Sequence, residues 1–300
     1  MLKRKIRRSQ FLERFESSMK MKGMDGPIDL GLYRPIGFLI AWALSFTRIH
    51  PNAVTVASAL LGFAAGICAL PGTPEAFLLC ALFYQVSNCF DCADGQLARM
   101  TGRYTPSGRV LDGVADYAVN VCVFAGTLAG LVRVGLGRPQ PFLLVAAGGA
   151  AMAFSCLLYD RAVTRYSKLM RNGPGEEVEE IEQARGYAAS SRGIARLAWS
   201  LYGRYLKLQF VLGGKASKDP MAFEGEAEKT AYAKLMYPLL MAWSFAGPSA
   251  HVLYYLLFAL LGKIELFFVA AVLIAAASAL ILGVQQLVEA RLRERVFAKD

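Results

Sequence analysis

Four aspartates, one arginine and spaced glycines between Asp91 and Asp116 follow the pattern D-x2-D-G-x2-A-R-x8-G-x3-D-x3-D, set between two long apolar segments. An ionised side chain in hydrocarbon costs about 2.5–3.5 kcal/mol on insertion scales and is usually paired or bound to an ion. Four acids against one arginine leave negative charge over, and a divalent cation is its simplest partner. At about 100° per residue, Asp91, Asp94, Gly95, Ala98 and Arg99 share one side of a helix, within roughly 140° of arc. Gly108, Asp112 and Asp116 recur every fourth residue on another helix, so each helix can present two carboxylates to a shared cleft. Hard oxygen donors in this number suit Mg2+, Mn2+ or Ca2+ rather than zinc. Two such ions about 3.5–4 Å apart can clamp the attacking and leaving oxygens of an in-line displacement. Arg99, permanently charged and fork-shaped, is the natural phosphate contact, or else the counter-ion of the acids. Gly95 and Ala98 put no bulk on the acid-bearing face, so a second helix or a flat ligand can approach it.

The run Asp91, Asp94, Gly95, Ala98, Arg99, Gly108, Asp112, Asp116 resembles, in residue type and spacing, the signature of the CDP-alcohol phosphotransferases (CDP-alcohol phosphatidyltransferases). The signature covers 26 residues, with no departure at its eight positions. The resemblance implies an integral membrane enzyme in which the hydroxyl of one alcohol displaces CMP from a CDP-linked alcohol, in phospholipid or polar-headgroup biosynthesis. It implies that Asp91, Asp94 and Asp112 hold two Mg2+ (or Mn2+) ions, while Asp116 shares one ion and accepts the proton of the attacking hydroxyl. It places cytidine and its pyrophosphate along Gly95 and Ala98, with Gly108 opposite. Similar enzymes carry a run like Pro51-Asn52-Ala53-Val54-Thr55 facing the nucleotide, which makes Asn52 and Thr55 further candidates beside their ordinary role as a helix start. A homodimer is implied by the resemblance alone.

The elements that must position these residues are membrane helices. The chain has 300 residues, 55% of them hydrophobic, and a mean hydropathy of +0.38. Spans need about 20 apolar residues, and six are expected: Pro51–Leu70, Ala76–Gln96, Asp112–Val132, Phe142–Val163, Tyr232–Leu261 and Leu266–Leu287. The expected architecture is an all-α integral membrane domain over 51–300, with a cytoplasmic helical insertion at about 166–231 between helices four and five. An N-terminal amphipathic, interfacial segment over 1–50 precedes it. The net charge of +10 does not require nucleic acid, because its cations lie where topology puts them. Lys3, Arg4, Lys5, Arg7 and Arg8 open the chain, Arg99, Arg103 and Arg109 flank the second turn, and Arg291, Arg293 and Arg295 come last. The positive-inside bias then sets both termini and the acid cluster on the cytoplasmic side, with Arg133, Arg138 and Lys263 opposing.

Phe11, Leu12 and Phe15 alternate with Arg14 and Lys20 as in a surface-lying helix. Tyr33–Ile49 is nearly apolar enough to span, but Arg34, Pro35, Arg48 and Pro51 favour an interfacial helix. In the insertion, acids from Glu176 to Glu182 start a helix. Ala195–Val211 makes an amphipathic helix with Arg196, Arg204 and Lys207 on a basic face, fit either for anionic lipid or for packing on the membrane domain. Gly213–Gly225 reads as a linker. Gly247-Pro248 should kink or break the fifth span, and His251 follows it as a core histidine or a neighbour of the acceptor hydroxyl. Cys89 and Cys92 form a lone C-x2-C in a helical context, which makes them small packing residues rather than a zinc or redox pair.

Arg161, Arg165 and Lys168 lie at i, i+4 and i+7 where the fourth span leaves the membrane. A phosphorylated acceptor fits such a stripe, and so does positive-inside anchoring. Family members that use phosphorylated acceptors often carry S-Y-x-K/R-A-R here, where this chain has Leu158-Tyr159-Asp160-Arg161-Ala162-Val163. The expected partners are therefore a CDP-alcohol donor, an alcohol or phosphorylated-alcohol acceptor and membrane lipid. The competing classes are a membrane transporter and a catalytically silent scaffold, each binding cations at the acids.

Overall fold

The computed structural model describes residues 11–21, 23–135, 140–171, 176–212, 223 and 225–297. The basic opening run Lys3–Arg8, Arg138 and most of the expected linker lie outside them. Among the described residues the regular structure is helical, with no strand. A helical stretch over residues 11–18 and a π-turn, Asp29–Tyr33, lead into α1 (Arg34–Ser45), α2 (Pro51–Cys68), α3 (Pro74–Thr101), α4 (Pro106–Arg133) and α5 (Gln140–Arg171). Then come α6 (Glu176–Ser190), α7 (Gly193–Leu212), α8 (Glu226–Ser244), α9 (Pro248–Leu260) and α10 (Glu265–Phe297).

Local chemistry sets these ends. Pro51, Pro74 and Pro106 open α2, α3 and α4, where a missing N–H costs nothing. His50 Nδ1 accepts from the Asn52 amide at 3.2 Å, Thr73 Oγ1 from the Ala76 amide at 3.2 Å and Thr105 Oγ1 from the Gly108 amide at 3.0 Å, each capping a helix start. Gly102 ends α3 with φ +67°, a left-handed conformation that glycine adopts without strain.

Five helices are long and apolar enough to cross a membrane: Pro51–Cys68, Pro74–Thr101, Val110–Arg133, Gln140–Arg171 and Glu265–Leu292. The expected fifth span, Tyr232–Leu261, is instead two helices, α8 of 19 residues and α9 of 13, neither of them among the five. They part at 245–247, beside the Gly247-Pro248 pair that was expected to kink or break the helix. The expected Tyr33–Ile49 segment forms the 12-residue α1, which buries Arg34, Gly37, Phe38 and Ala41.

The chain divides into two compact units, Met1–Gly149 with Ser249–Ala270, and Ala150–Pro248 with Ala271–Asp300. In the first, α2 packs closely on α3 and α4. Ser58 and Ser87 each donate to the other's backbone carbonyl at 2.8 Å. A Cβ on Gly126 would stand 2.0 Å from the Gly66 carbonyl oxygen, so α2 and α4 meet backbone to backbone. Beside them Tyr255 Oη shares hydrogen bonds with Thr127 Oγ1 at 2.7 Å and Cys80 Sγ at 3.4 Å. His251 is fully buried, edge-on to Tyr254 and Phe267, and neither ring nitrogen has a hydrogen-bond partner among the described residues.

In the second unit, Leu158, Ala162, Trp243 and Ala246 form a core, and Trp243 Nε1 donates to Gln285 Oε1 at 2.8 Å. Helices α6 and α7 pair, with Tyr187 stacked on Trp199 at 4.5 Å.

Candidate active site

Helices α3 and α4 carry the signature, and their geometry gathers three of its acids. One carboxylate oxygen from each of Asp91, Asp112 and Asp116 lies within 4.8 Å of the other two. Asp116 is exposed, while Asp91 and Asp112 are half-buried. The buried Oδ1 of Asp112 has no hydrogen-bond partner among the described residues. Such an orphaned acceptor beside two further carboxylates is the donor set a hard divalent cation takes. The residues present fit Mg2+ or Mn2+.

Asp94 is handled differently. It is buried, and Thr55 Oγ1 of α2 donates to its Oδ2 at 2.5 Å. Asn52, one turn earlier, reaches the other end of the signature: a Cβ on Gly108 would stand 2.8 Å from Asn52 Oδ1 and 2.7 Å from Thr105 Oγ1. The P-N-x2-T run therefore touches both signature helices while it opens α2. A side chain at Gly95 would lie 3.5 Å from Arg99 Nη1, so the guanidinium rests over the strip that Gly95 leaves bare.

Sequence reasoning missed what holds Arg99. Its Nε donates to the Ser18 carbonyl at 2.5 Å, and its Nη2 is buried with no partner among the described residues. Gln96 Nε2 donates to Ser18 Oγ at 3.1 Å and to the Arg34 carbonyl at 3.2 Å. Arg34 in turn pairs with Asp25 at 2.8 Å, both buried. Tyr33 donates to Gln85 Oε1 at 2.5 Å and packs on Cys89 and Cys92; burial pushes its phenol above the usual range and keeps it a donor. Gln85, Cys89, Cys92, Gln96 and Arg99 recur at helical spacing, so α3 presents one stripe to the N-terminal segment and another to the acids. That stripe was the available signal. The positive charges acting on Asp91 are Lys20 and Arg34, both from this segment. The C-x2-C pair is free thiols, packed as expected.

The basic stripe of α5 belongs to the second unit. Arg165 Nε lies 2.9 Å from Glu289 Oε2, with both side chains buried. Lys168 Nζ lies 2.9 Å from Glu180 Oε2 on α6, and Arg161 is buried beside them. A cavity here is lined by Arg161, Arg165, Lys168, Glu180 and Gln209. Asp160 accepts from Tyr205 Oη at 2.7 Å and Gln209 Nε2 at 2.6 Å on α7. At least two of the three cations thus already face carboxylates.

No curated protein matches the chain. Residues 48–175 match the model of the CDP-alcohol phosphatidyltransferase family, a stretch that includes Asn52, Thr55 and all eight signature positions, so over that stretch the resemblance to a family of membrane transferases of phospholipid biosynthesis is shown.

Proposed function

We propose that the chain is a divalent-metal-dependent CDP-alcohol phosphotransferase that transfers a substituted phosphate from a CDP-linked alcohol to an acceptor hydroxyl and releases CMP. The observation that carries this reading is the convergence of Asp91, Asp112 and Asp116 within 4.8 Å, inside the stretch matched by a membrane phosphotransferase family. Asp91, Asp94, Asp112 and Asp116 would hold Mg2+ or Mn2+, two ions in all, whose charge would neutralise the pyrophosphate and the departing CMP oxygen.

The chain's own residues do the remainder. Thr55 fixes Asp94, and Asn52 and Gly108 leave a close, side-chain-free approach for the nucleotide beside Gly95 and Ala98. Arg99 is anchored through Nε to the N-terminal segment, which leaves Nη2 for a phosphate oxygen. Asp116, the most exposed acid, takes the proton as the acceptor oxygen bonds to the alcohol-bearing phosphorus and the bridging oxygen leaves with CMP. Arg161, Arg165 and Lys168 would line the acceptor site; because Glu289 and Glu180 already answer two of them, a neutral alcohol is favoured over a phosphorylated one. Both termini and the acids would face the cytoplasm, and the enzyme would work as a homodimer.

The test is CMP release by detergent-purified protein over a panel of CDP-alcohols and alcohols, with Mg2+ or EDTA. The expected result is release that needs one donor–acceptor pair and metal, and that falls about 100-fold or more in Asp116→Asn, as for loss of a general base. Full turnover by Asp116→Asn refutes the proton-acceptor role, and metal binding without CMP refutes the reaction.

A further inference from the structure

Helix α7 has three faces. Trp199 and Gly203 turn to α6, the first stacked on Tyr187 and the second against Ala184. Tyr205 and Gln209 turn to α5, where both donate to Asp160. The third face has no partner among the described residues: Leu197, Leu201, Leu208 and Val211 are 59%, 47%, 48% and 71% exposed. With Arg204 they fall within about 80° of arc, and Arg196 and Lys207 run along one flank, all three cations exposed.

Two observations say what covers that face. The first is depth. In α5 the residues from Pro141 to Tyr159 carry no charge, and Asp160 is the first, followed by Arg161, Arg165, Lys168 and Arg171. Asp160 therefore marks where α5 leaves hydrocarbon for headgroups, and the hydrogen bonds from Tyr205 and Gln209 hold the C-terminal half of α7 at that level. The second is charge. The apolar stripe carries three cations and no acid, a pattern complementary to anionic lipid and to neither water nor a basic partner.

We infer that the outward stripe of α7 is a docking surface for anionic lipid, on the bilayer face at which α5 ends. Leu197, Leu201, Leu208 and Val211 enter the headgroup–acyl boundary, and Arg196, Arg204 and Lys207 engage lipid phosphates. This inference stands independently of the proposed reaction. It gives the insertion a role: lipid on the outer face of α7 fixes its inner face on Asp160 and, through Glu180 of α6, keeps a cap over Arg161, Arg165 and Lys168.

The experiment uses full-length Leu208→Trp in nanodiscs of phosphatidylcholine alone or with phosphatidylglycerol, with the wild-type tryptophan emission subtracted. The added emission should be quenched severalfold by tail-brominated phosphatidylglycerol and shielded from aqueous iodide. Each basic residue at an anionic surface is worth about a fivefold change in partition. Iodide access should therefore rise at least about fivefold when Arg196→Gln, Arg204→Gln and Lys207→Gln are added. Leu197→Trp should behave as Leu208→Trp does. Quenching by iodide without quenching by brominated lipid overturns the proposal, because the stripe then faces water. Shielding from both quenchers also overturns it, because protein, such as a second copy of the chain, then covers the stripe.

Discussion

Thr55→Val removes one hydroxyl and leaves the shape of the side chain almost unchanged, so it isolates the bond that holds Asp94. Thr55 Oγ1 donates to Asp94 Oδ2 at 2.5 Å, and both residues are buried. A hydrogen bond to a charged group is worth about 1.5–3 kcal/mol, a factor of about 10–150 in an equilibrium constant. No cavity opens and no backbone contact is lost, so the cost falls on the orientation of Asp94. Removing the partners that orient metal-ligating groups weakens metal binding about 10–100-fold, the same range. The Mg2+ concentration for half-maximal CMP release should therefore rise about 10–100-fold in Thr55→Val, while turnover recovers at saturating Mg2+. Thr55→Ser, which keeps the hydroxyl, should stay near wild type. Mn2+ binding followed by electron paramagnetic resonance reads the same shift without turnover. A folded Thr55→Val protein with an unchanged metal midpoint would show that Asp94 is not a ligand whose position matters.

Gly108→Ala drives a methyl to 2.8 Å from Asn52 Oδ1 and 2.7 Å from Thr105 Oγ1. Overpacking of this kind costs about 1–3 kcal/mol, and it should raise the KM for the CDP-alcohol more than it lowers the thermal midpoint. Glu289→Gln strips the countercharge from buried Arg165. Breaking a buried pair on one side costs about 3–5 kcal/mol, so thermal unfolding in detergent should come markedly earlier. The double change Arg165→Met with Glu289→Met should recover much of that loss.

The acid cluster was legible in the sequence because its positions are fixed by helical periodicity alone: Asp91 and Asp94 share one helix side, and Asp112 and Asp116 share another. Five of the six expected spans were legible for a similar reason, since an uncharged run of sufficient length has few alternatives. The interruption near Gly247-Pro248 was visible too, as a proline that cannot continue the preceding turn. The hold on Arg99 was not legible. It rests on the backbone carbonyl of Ser18, and a carbonyl leaves no mark on residue type. The pairing of Arg165 with Glu289 bridges 124 positions, a separation at which spacing carries no information. Cations at i, i+4 and i+7 look the same whether they await a phosphate or already have carboxylates.

The stretch of the chain that carries the family match is not a self-contained cassette. Arg99 and Gln96 end their hydrogen bonds on Ser18 and Arg34, all supplied from before residue 48, where the match starts. A chimera that grafts residues 48–175 into another enzyme would carry every signature side chain and still strand the guanidinium of Arg99 without its carbonyl. Transplanting the chemistry therefore means transplanting the leading segment with it, and substitutions at Ser17 to Met19 belong in any screen for altered donor preference.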